Sequence, residues 1–197
     1  MIKYVNRTSL IVLLSMSVCD GCSTLEPGAA PGIARDRDVA LQAPTKTPEQ
    51  TVKDFLCWYN DNSDSLRAIH LVRKHSPGSP AERYAVNFAE TEQWLNMLKG
   101  SGFVSEAFVL HWRAYFKEAE RAFENDPVGD GPAAGFEYDF IYNSQETPPR
   151  NLEIQNAILV QDLIEGGKSK VILNITNYGD ITKTLMKSSN GDWLLAE

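Results

Sequence analysis

Cysteine is scarce in this chain: its 197 residues contain Cys19, Cys22 and Cys57 and no others. The first two lie near the start, where export processing can remove or modify them, so Cys57 is left alone and we expect no disulfide framework. The fold must therefore be held by its hydrophobic core. The roughly 150 residues that follow position 46 suffice, because a domain of that size buries about two thirds of its unfolded surface.

Basic residues are also in deficit. Lys and Arg number 19 against 26 Asp and Glu, which gives a formal net charge of −7. Nucleic acids and anionic lipid headgroups are bound by clusters of Lys and Arg. The acidic balance argues against nucleic acid as a partner, and it leaves any membrane contact to a lipid anchor.

Recognisable catalytic and metal-binding motifs are absent. His70 and His75 lie five apart, which puts them on different helix faces, and no acidic residue or cysteine near them is in a suitable register. Asp126 and Asp130 lack the alternating acidic pattern of an EF-hand. Cys57 has no His or Lys beside it at helical spacing. With no nucleophilic triad, phosphate loop or HExxH motif either, we predict no catalytic residue, no metal site and no cofactor.

Long hydrophobic runs are missing as well, apart from one short run at the N-terminus. The apolar stretch from Leu10 to Val18 is too short to cross a bilayer as a helix, which needs about 20 residues. It follows the basic Lys3 and Arg7 and precedes the small Gly21, a pattern typical of an export signal. Because a cysteine comes next, the segment resembles a bacterial lipoprotein signal, in which that thiol receives a diacylglycerol.

Two cysteines compete for the lipid. Cys22 follows a glycine, whereas Cys19 follows a branched valine that fits a small-residue cleavage pocket poorly. We therefore predict a signal peptide over residues 1–21 and lipid attachment at Cys22, with Cys19 as the rival. In enterobacterial lipoproteins an Asp directly after the lipidated cysteine retains the protein at the inner membrane. By that resemblance Ser23, after Cys22, implies the bacterial outer membrane and the periplasm, whereas Asp20, after Cys19, implies the inner membrane.

The stretch after the signal has the composition of a spacer. Residues 22–46 contain several prolines and glycines, alternating charges and no sustained apolar period. We predict a lipid-anchored flexible tether, which fully extended would reach about 80 Å at 3.3–3.6 Å per residue. Residues 47–197 are predicted to form a single domain, held near the membrane without being pressed onto it.

The first part of that domain has helical spacing. Thr47 and Gln50 form a capping box around Pro48, and apolar residues at i, i+3, i+4 and i+7 follow, which predicts a helix over 48–61. Residues 62–78 predict only a short helix or a loop. Two further helices are predicted over 80–99, after a second capping box, and from about 105 to 124.

Beyond residue 125 the apolar period changes from helical to two. Phe136 to Tyr142 alternate aromatic and other residues, which predicts a strand with Glu137 and Asp139 on its polar face. On that strand we expect Asp139 to be a solvated carboxylate. Further strands are predicted over 152–163, 168–178, and 181–187 with 192–196, separated by glycine turns. Helices followed by an antiparallel meander predict an α+β fold, with N-terminal helices packed on a curved sheet of about four to five strands.

Several segments together resemble a known superfamily. The capped helix with the aromatic run Phe55 to Tyr59, the later meander, and the terminal Asn190-Gly191-Asp192-Trp193-Leu194-Leu195 resemble the nuclear-transport-factor-2-like, or cystatin-like, superfamily. Ser101 to Ser105 and Gly129 to Phe136 also look like uncharacterised bacterial lipoproteins of that superfamily. The resemblance implies a cone-like sheet that wraps a helix and leaves a pocket. Enzymes of the superfamily place an acid or base there, and the positions here would be Glu137, Tyr138 and Asp139.

Three functional hypotheses follow. The favoured one is a non-enzymatic, membrane-anchored envelope lipoprotein that binds a protein, peptide or small ligand through the pocket or the open face of the sheet. The second is an immunity protein that neutralises a periplasmic toxin, because an acidic tethered domain suits a basic target. The third is a pocket enzyme of isomerase or hydrolase type. A periplasmic protein partner is compatible with the first two hypotheses.

Overall fold

The computed structural model describes residues 46–74, 84–125 and 131–197. Their secondary structure follows the order α1 (Pro48–Asp61), α2 (Ser63–Arg67), β1 (Val72–Lys74), β2 (Tyr84–Val86), α3 (Phe88–Gly100), α4 (Glu106–Asn125), α5 (Asn151–Gln155), β3 (Ile158–Glu165), β4 (Lys168–Ile175), β5 (Gly179–Lys187) and β6 (Trp193–Leu195). Helices thus precede an antiparallel sheet, and the predicted α+β class is confirmed. The predicted signal peptide, Cys19, Cys22 and the tether up to residue 45 lie outside the described residues, as do His75, Asp126 and Asp130.

Helix α1 begins and ends where the capping pattern predicts. The backbone N–H of Gln50 donates to Thr47 Oγ1 at 3.1 Å, and Pro48 occupies the first helical turn, where its missing N–H costs nothing. Phe55 and Leu56 on the apolar face are fully buried. The same physical argument holds for α4, whose predicted bounds differ from the observed ones by a single residue.

The predicted helix over 80–99 is wrong in its first part. Tyr84–Val86 form strand β2, which pairs antiparallel with β1 at Val72–Lys74, and α3 begins only at Phe88. Strands of three residues are too short to show a period of two, so the hairpin could not be recognised from the sequence. The capping box predicted at 79–82 lies outside the described residues.

Four strands form the main sheet in the order β3-β4-β5-β6, all antiparallel. Glu165 pairs with Lys168, so Gly166 and Gly167 form a two-residue hairpin loop. Both glycines have positive φ, 56° and 76°, as a type I′ turn requires. Residues of β4 alternate between buried and exposed along most of the strand, which indicates one face turned to the core.

The β6 edge of the sheet is closed by the connection between α3 and α4. The N–H of Leu195 donates to the carbonyl of Phe103 at 2.8 Å, and the N–H of Ser105 donates to the carbonyl of Leu195 at 2.8 Å. This short parallel bridge uses the outward backbone groups of Leu195. At the opposite edge, β3 pairs with β4 alone among the strands that the structure describes.

The strand predicted over Phe136 to Tyr142 is wrong: the segment folds as a series of turns. Asp139 Oδ1 accepts the N–H groups of Ile141 at 2.9 Å and Tyr142 at 3.0 Å, and Asn143 adopts a left-handed conformation with φ 51°. An aspartate that captures the two backbone donors ahead of it favours a turn over a strand ladder. The expected alternation of Glu137 and Asp139 against the aromatic residues therefore does not exist.

The strand predicted over 152–163 is half right. Asn151–Gln155 form the short helix α5, and β3 runs over Ile158–Glu165. Glu153 Oε2 accepts the N–H of Arg150 at 2.8 Å, which satisfies a backbone donor at the helix start. The later strands are confirmed: β4 lies within the predicted 168–178, and β5 and β6 cover the paired segments at the end.

An aromatic cluster fills the part of the core between α3, α4 and the 133–142 segment. Trp94 is 3% exposed and packs edge to face on Phe116 and Phe140, with ring centroids 6.0 Å apart in both pairs. Phe136 and Phe140 make a similar contact at 5.5 Å. Edge-to-face pairs of this kind add to the stabilisation from burial itself. Among the residues that the structure describes, every helix falls short of the length or apolar character that a bilayer crossing requires.

Candidate functional site

A cleft of about 510 Å³ opens between the end of α1, the segment from α2 to β1, Trp94 of α3 and residues 133–148. We call it the cleft throughout. Its lining includes Tyr59, Leu66, Arg67, Ile69, His70, Leu71, Val72, Trp94, Ala133, Phe136, Glu137, Tyr138, Asp139, Phe140, Ser144, Gln145, Glu146 and Pro148. A concave site with an apolar wall and a few convergent polar groups is the usual form of a ligand pocket.

Aromatic rings form one wall of the cleft. Trp94 and Phe140 belong to the aromatic cluster of the core, and Tyr138 packs edge to face on Phe140 at 5.5 Å between centroids. The Tyr138 hydroxyl lies 3.2 Å from the Tyr115 hydroxyl, which in turn donates to the carbonyl of Gly135 at 2.7 Å. These contacts fix the rings before any ligand arrives, so binding costs little side-chain entropy.

Asp139 and Tyr59 form the polar floor of the cleft. The Tyr59 hydroxyl donates to Asp139 Oδ2 at 2.9 Å, while Asp139 Oδ1 accepts two backbone N–H groups. Burial, and then the charge of Asp139, raise the pKa of Tyr59 far above its usual range, so its hydroxyl remains a donor. Asp139 is half-buried, and the expectation of a solvated strand carboxylate is therefore wrong.

A second set of hydrogen bonds holds the Asp139 turn against α1. The Tyr142 hydroxyl donates to Asn60 Oδ1 at 2.8 Å, and Asn60 Nδ2 donates to the carbonyl of Pro149 at 2.8 Å. Asn151 Nδ2 donates to Asp61 Oδ1 at 2.7 Å. The last turn of α1 is thus hydrogen-bonded to residues on both sides of the loop that carries Asp139. These bonds fix the position of the Asp139 carboxylate.

Lys183 lies behind this floor, on the face of β5 that is turned to the core. It stands between Ile181 and Leu185, which are buried on the same face, and it pairs with the fully buried Val171 of β4. Burial lowers the pKa of Lys183 to about 8, although the carboxylates of Asp139 and Glu197 act in the opposite direction. A poorly hydrated lysine thus lies near the aspartate of the cleft floor, although it does not itself line the cleft.

The rim of the cleft carries exposed charged groups. Glu137 and Glu146 lie on the loop side, and Arg67 and His70 lie on the side of α2. Together with Asp139 the cleft lining presents three carboxylates against one guanidinium, and even with Lys183 behind the floor the negative charges are in excess. This balance matches the acidic surplus of the whole chain.

The three consecutive positions named from the superfamily resemblance all lie at the cleft. Glu137, Tyr138 and Asp139 line the cleft, but on a turn rather than on a strand. His70 also lies at the rim, whereas His111 is an exposed residue of α4 whose ring meets Trp112 edge to face. No group of three His, Cys, Asp or Glu suited to a metal ion occurs among residues 46–74, 84–125 and 131–197.

Cys57 lies away from the cleft and has a different environment. Its Sγ accepts Gln155 Nε2 at 3.2 Å, and burial raises the pKa of the thiol. A thiol whose pKa is raised is less often a thiolate, so it is a weaker nucleophile.

Sequence reasoning missed Tyr59 and Trp94 as lining residues of the cleft, and it missed Lys183 near Asp139. Tyr59 and Trp94 occur at helical spacings that also suit plain core residues. Lys183 could have been found, because it breaks the apolar side of an alternating strand between Ile181 and Leu185.

Comparison of the chain with protein-family models, with curated proteins and with solved structures found no match.

Proposed function

We propose that this protein is a membrane-anchored envelope lipoprotein whose domain binds a ligand with an organic ammonium group in the cleft, without transforming it. The observation that carries the proposal is the position of Asp139, half-buried beside the partly exposed rings of Phe136 and Tyr138, which line the cleft in front of the buried Trp94 and Phe140. Aromatic faces attract cations, and they do so more strongly where water is excluded. A fixed carboxylate beside such faces supplies the opposite charge.

The charge of the rim supports a cationic ligand. Glu137 and Glu146 add negative potential at the entrance, and Arg67 offsets only part of it. Such a field raises the local concentration of small cations and repels anions. The cleft volume, about 510 Å³, suits a small molecule or a single side chain of a protein partner.

The chemistry of the floor supports binding over catalysis. Asp139 already accepts three hydrogen bonds, and Tyr59 is a donor whose raised pKa makes it a poor proton source. A general base needs a free lone pair directed at the substrate. Most acceptor sites of Asp139 are therefore occupied while its negative charge is retained, which suits it better to hold a cation than to move a proton.

Binding to the cleft can be measured by isothermal titration of choline and cadaverine into the purified protein, with acetate and a neutral alcohol as comparison probes. We expect the two ammonium compounds to bind and the other probes not to bind. Replacing both rim carboxylates, Glu137→Gln with Glu146→Gln, should weaken ammonium binding at least threefold without unfolding the protein, because both are exposed.

A matched control comes from helix α4. Glu118→Gln with Glu124→Gln removes the same charge from exposed positions away from the cleft. Equal loss of affinity in both double variants, or equal binding of acetate and choline, would contradict the proposed cation site.

The membrane anchor is part of the same proposal. We propose a signal peptide over residues 1–21, a lipid on Cys22, a tether over 22–46 and residence at the outer membrane facing the periplasm. Replacing Cys22 by Ala should abolish labelling by palmitate and release the protein from the membrane fraction. Labelling that persists in this variant but disappears in Cys19→Ala would move the lipid to Cys19 and the protein to the inner membrane.

We also propose a cone-like, cystatin-like arrangement, with N-terminal helices packed on a curved sheet. Contacts of α1 with β3, β4 and β6 support it, as does the buried face of β4. An experimental structure of the domain would test the curvature, and a flat sheet with α1 at its end would contradict it.

A further inference from the structure

The edge strand β3 is apolar and exposed along its length. We call its five aliphatic residues the β3 patch: Ile158 (65% exposed), Leu159 (38%), Val160 (57%), Leu163 (54%) and Ile164 (55%). Contiguous exposed apolar surface on a soluble domain usually marks a contact with another molecule. The strand is eight residues long and lacks the lysines and prolines that commonly protect an exposed edge, and beyond a register shift between Leu159 and Gln161 it pairs regularly with β4 up to Glu165.

The β3 patch has apolar residues on both faces of the sheet. Ile164 stands beside Ser169, on the side that β4 buries, whereas Leu163 stands beside Lys170, on the side that β4 exposes. An exposed edge strand that is apolar on both faces is a ready template for pairing with a further strand. The composition of β3 therefore indicates that a further strand covers its free edge.

We infer that this further strand is β3 of a second copy, so that two sheets join into one of eight strands across a two-fold axis. An antiparallel edge is complementary to itself, because rotation about that axis presents each donor to an acceptor of the copy. Asp162, the acidic group at the middle of the strand, accepts a hydrogen bond from Ser169 Oγ of β4 at 2.6 Å, which directs the carboxylate towards β4.

The size of the patch suits a dimer. A standard interface buries about 800 Å² per partner, of which slightly more than half is apolar. Five aliphatic side chains, four of them more than half exposed, supply apolar area of that order when the strand edge is also covered. The cleft is lined by none of the β3 patch, so this inference stands independently of the ligand proposed for the cleft.

The test is sedimentation of the full-length purified protein in density-matched detergent, together with two variants. Leu163→Lys places a charge in the β3 patch. Leu110→Lys places the same charge on α4, at a leucine of nearly equal exposure, 57% against 54%. We expect the unmodified protein and Leu110→Lys to sediment as dimers and Leu163→Lys to weaken dimerisation at least tenfold, with all three unfolding cooperatively.

Two results would overturn the inference. One is an unmodified protein that stays monomeric at protein concentrations up to about 100 μM. The other is a Leu163→Lys dimer as stable as the Leu110→Lys dimer. A monomer that instead retains a different envelope protein through β3 would assign the patch to that partner and exclude the second copy.

Discussion

Strands β3 and β5 lie on either side of β4, and they depart from the apolar-inside pattern in opposite directions. Strand β5 places Lys183 on its core face between two buried aliphatic residues, whereas β3 leaves five aliphatic residues exposed. A poorly hydrated lysine lowers the stability of the folded monomer. Exposed aliphatic residues cost the monomer almost nothing, since they are exposed in the unfolded chain too.

The difference separates two kinds of functional feature. The poorly hydrated Lys183 is compatible with folding because the carboxylate of Asp139 supplies opposite charge. We therefore expect Lys183 to act within a single molecule. The β3 patch has no such partner among the described residues, so its role concerns another molecule. Mutations should therefore alter stability at β5 and association at β3.

The largest change in the free energy of unfolding should come from Asp139→Ala. The change leaves the Tyr59 hydroxyl and two backbone N–H groups without an acceptor and removes a charge near Lys183. We expect a loss of about 3 kcal/mol in the free energy of unfolding, measured by urea denaturation. Glu137→Ala, at an exposed neighbour, should change it by less than about 0.5 kcal/mol. Similar changes in the free energy of unfolding for both variants would contradict the structural role given to Asp139 in the cleft floor.

A smaller effect of opposite sign is expected from Lys183→Met. Methionine has nearly the same length and needs no hydration, so the variant should be more stable at pH 7 by about 2 kcal/mol. Thermal unfolding of both proteins in the same buffer measures the difference. A destabilised variant would show that the ammonium contributes more through the nearby carboxylates than its burial costs.

The pH dependence of stability should reveal the same lysine. Because the pKa of Lys183 is about 8 in the folded state and about 10.5 in the unfolded chain, the unfolded chain binds more protons between these values. Stability should therefore rise from pH 8 to pH 10, by at most about 1.4 kcal/mol per pH unit. Above about pH 10 it should fall, since buried Tyr59 and Tyr142 have raised pKa values and ionise only on unfolding. Lys183→Met should lack the rise and keep the fall.

The smallest effect on monomer stability is expected at the β3 patch. Leu163→Lys should change the free energy of unfolding by about 0.5 kcal/mol or less under conditions where dimers do not form, because the side chain is already half exposed. Urea denaturation at low protein concentration gives this value. A loss above about 2 kcal/mol would mean that Leu163 supports the fold itself.

Capping residues and apolar periodicity predicted the long helices and strands correctly. They failed where side-chain hydrogen bonds or tertiary packing determine the local structure. Helix α1 was predicted to the residue because Thr47, Pro48 and Gln50 state its start and a regular apolar face follows. The sheet from β4 onward was predicted because glycine turns separate alternating segments. The 136–142 segment failed, since Asp139 bonds its own backbone and the aromatic residues serve the core without strand pairing.

The cleft could be predicted only in outline. The superfamily resemblance pointed to positions 137–139, and the structure does place them in one concave site. Tyr59 and Trp94 extend into that site from α1 and α3. Such tertiary contacts between distant parts of the chain cannot be predicted from the local spacing of residues. The exposure of β3 could not be predicted either. An apolar strand indicates burial, but the sequence does not say whether the monomer or a second molecule covers the strand.

The bridge between Leu195 and the Phe103–Ser105 segment has a consequence for how far copies can add. Because the outward N–H and C=O of Leu195 are occupied, this edge offers a poorer template to a further strand than the β3 edge does. If the β6 edge is blocked in this way and the β3 edge is free, then pairing of two molecules through β3 leaves neither of them with a free edge. Growth into filaments is then excluded by geometry, and a chain with an aggregation-prone strand can remain a finite particle.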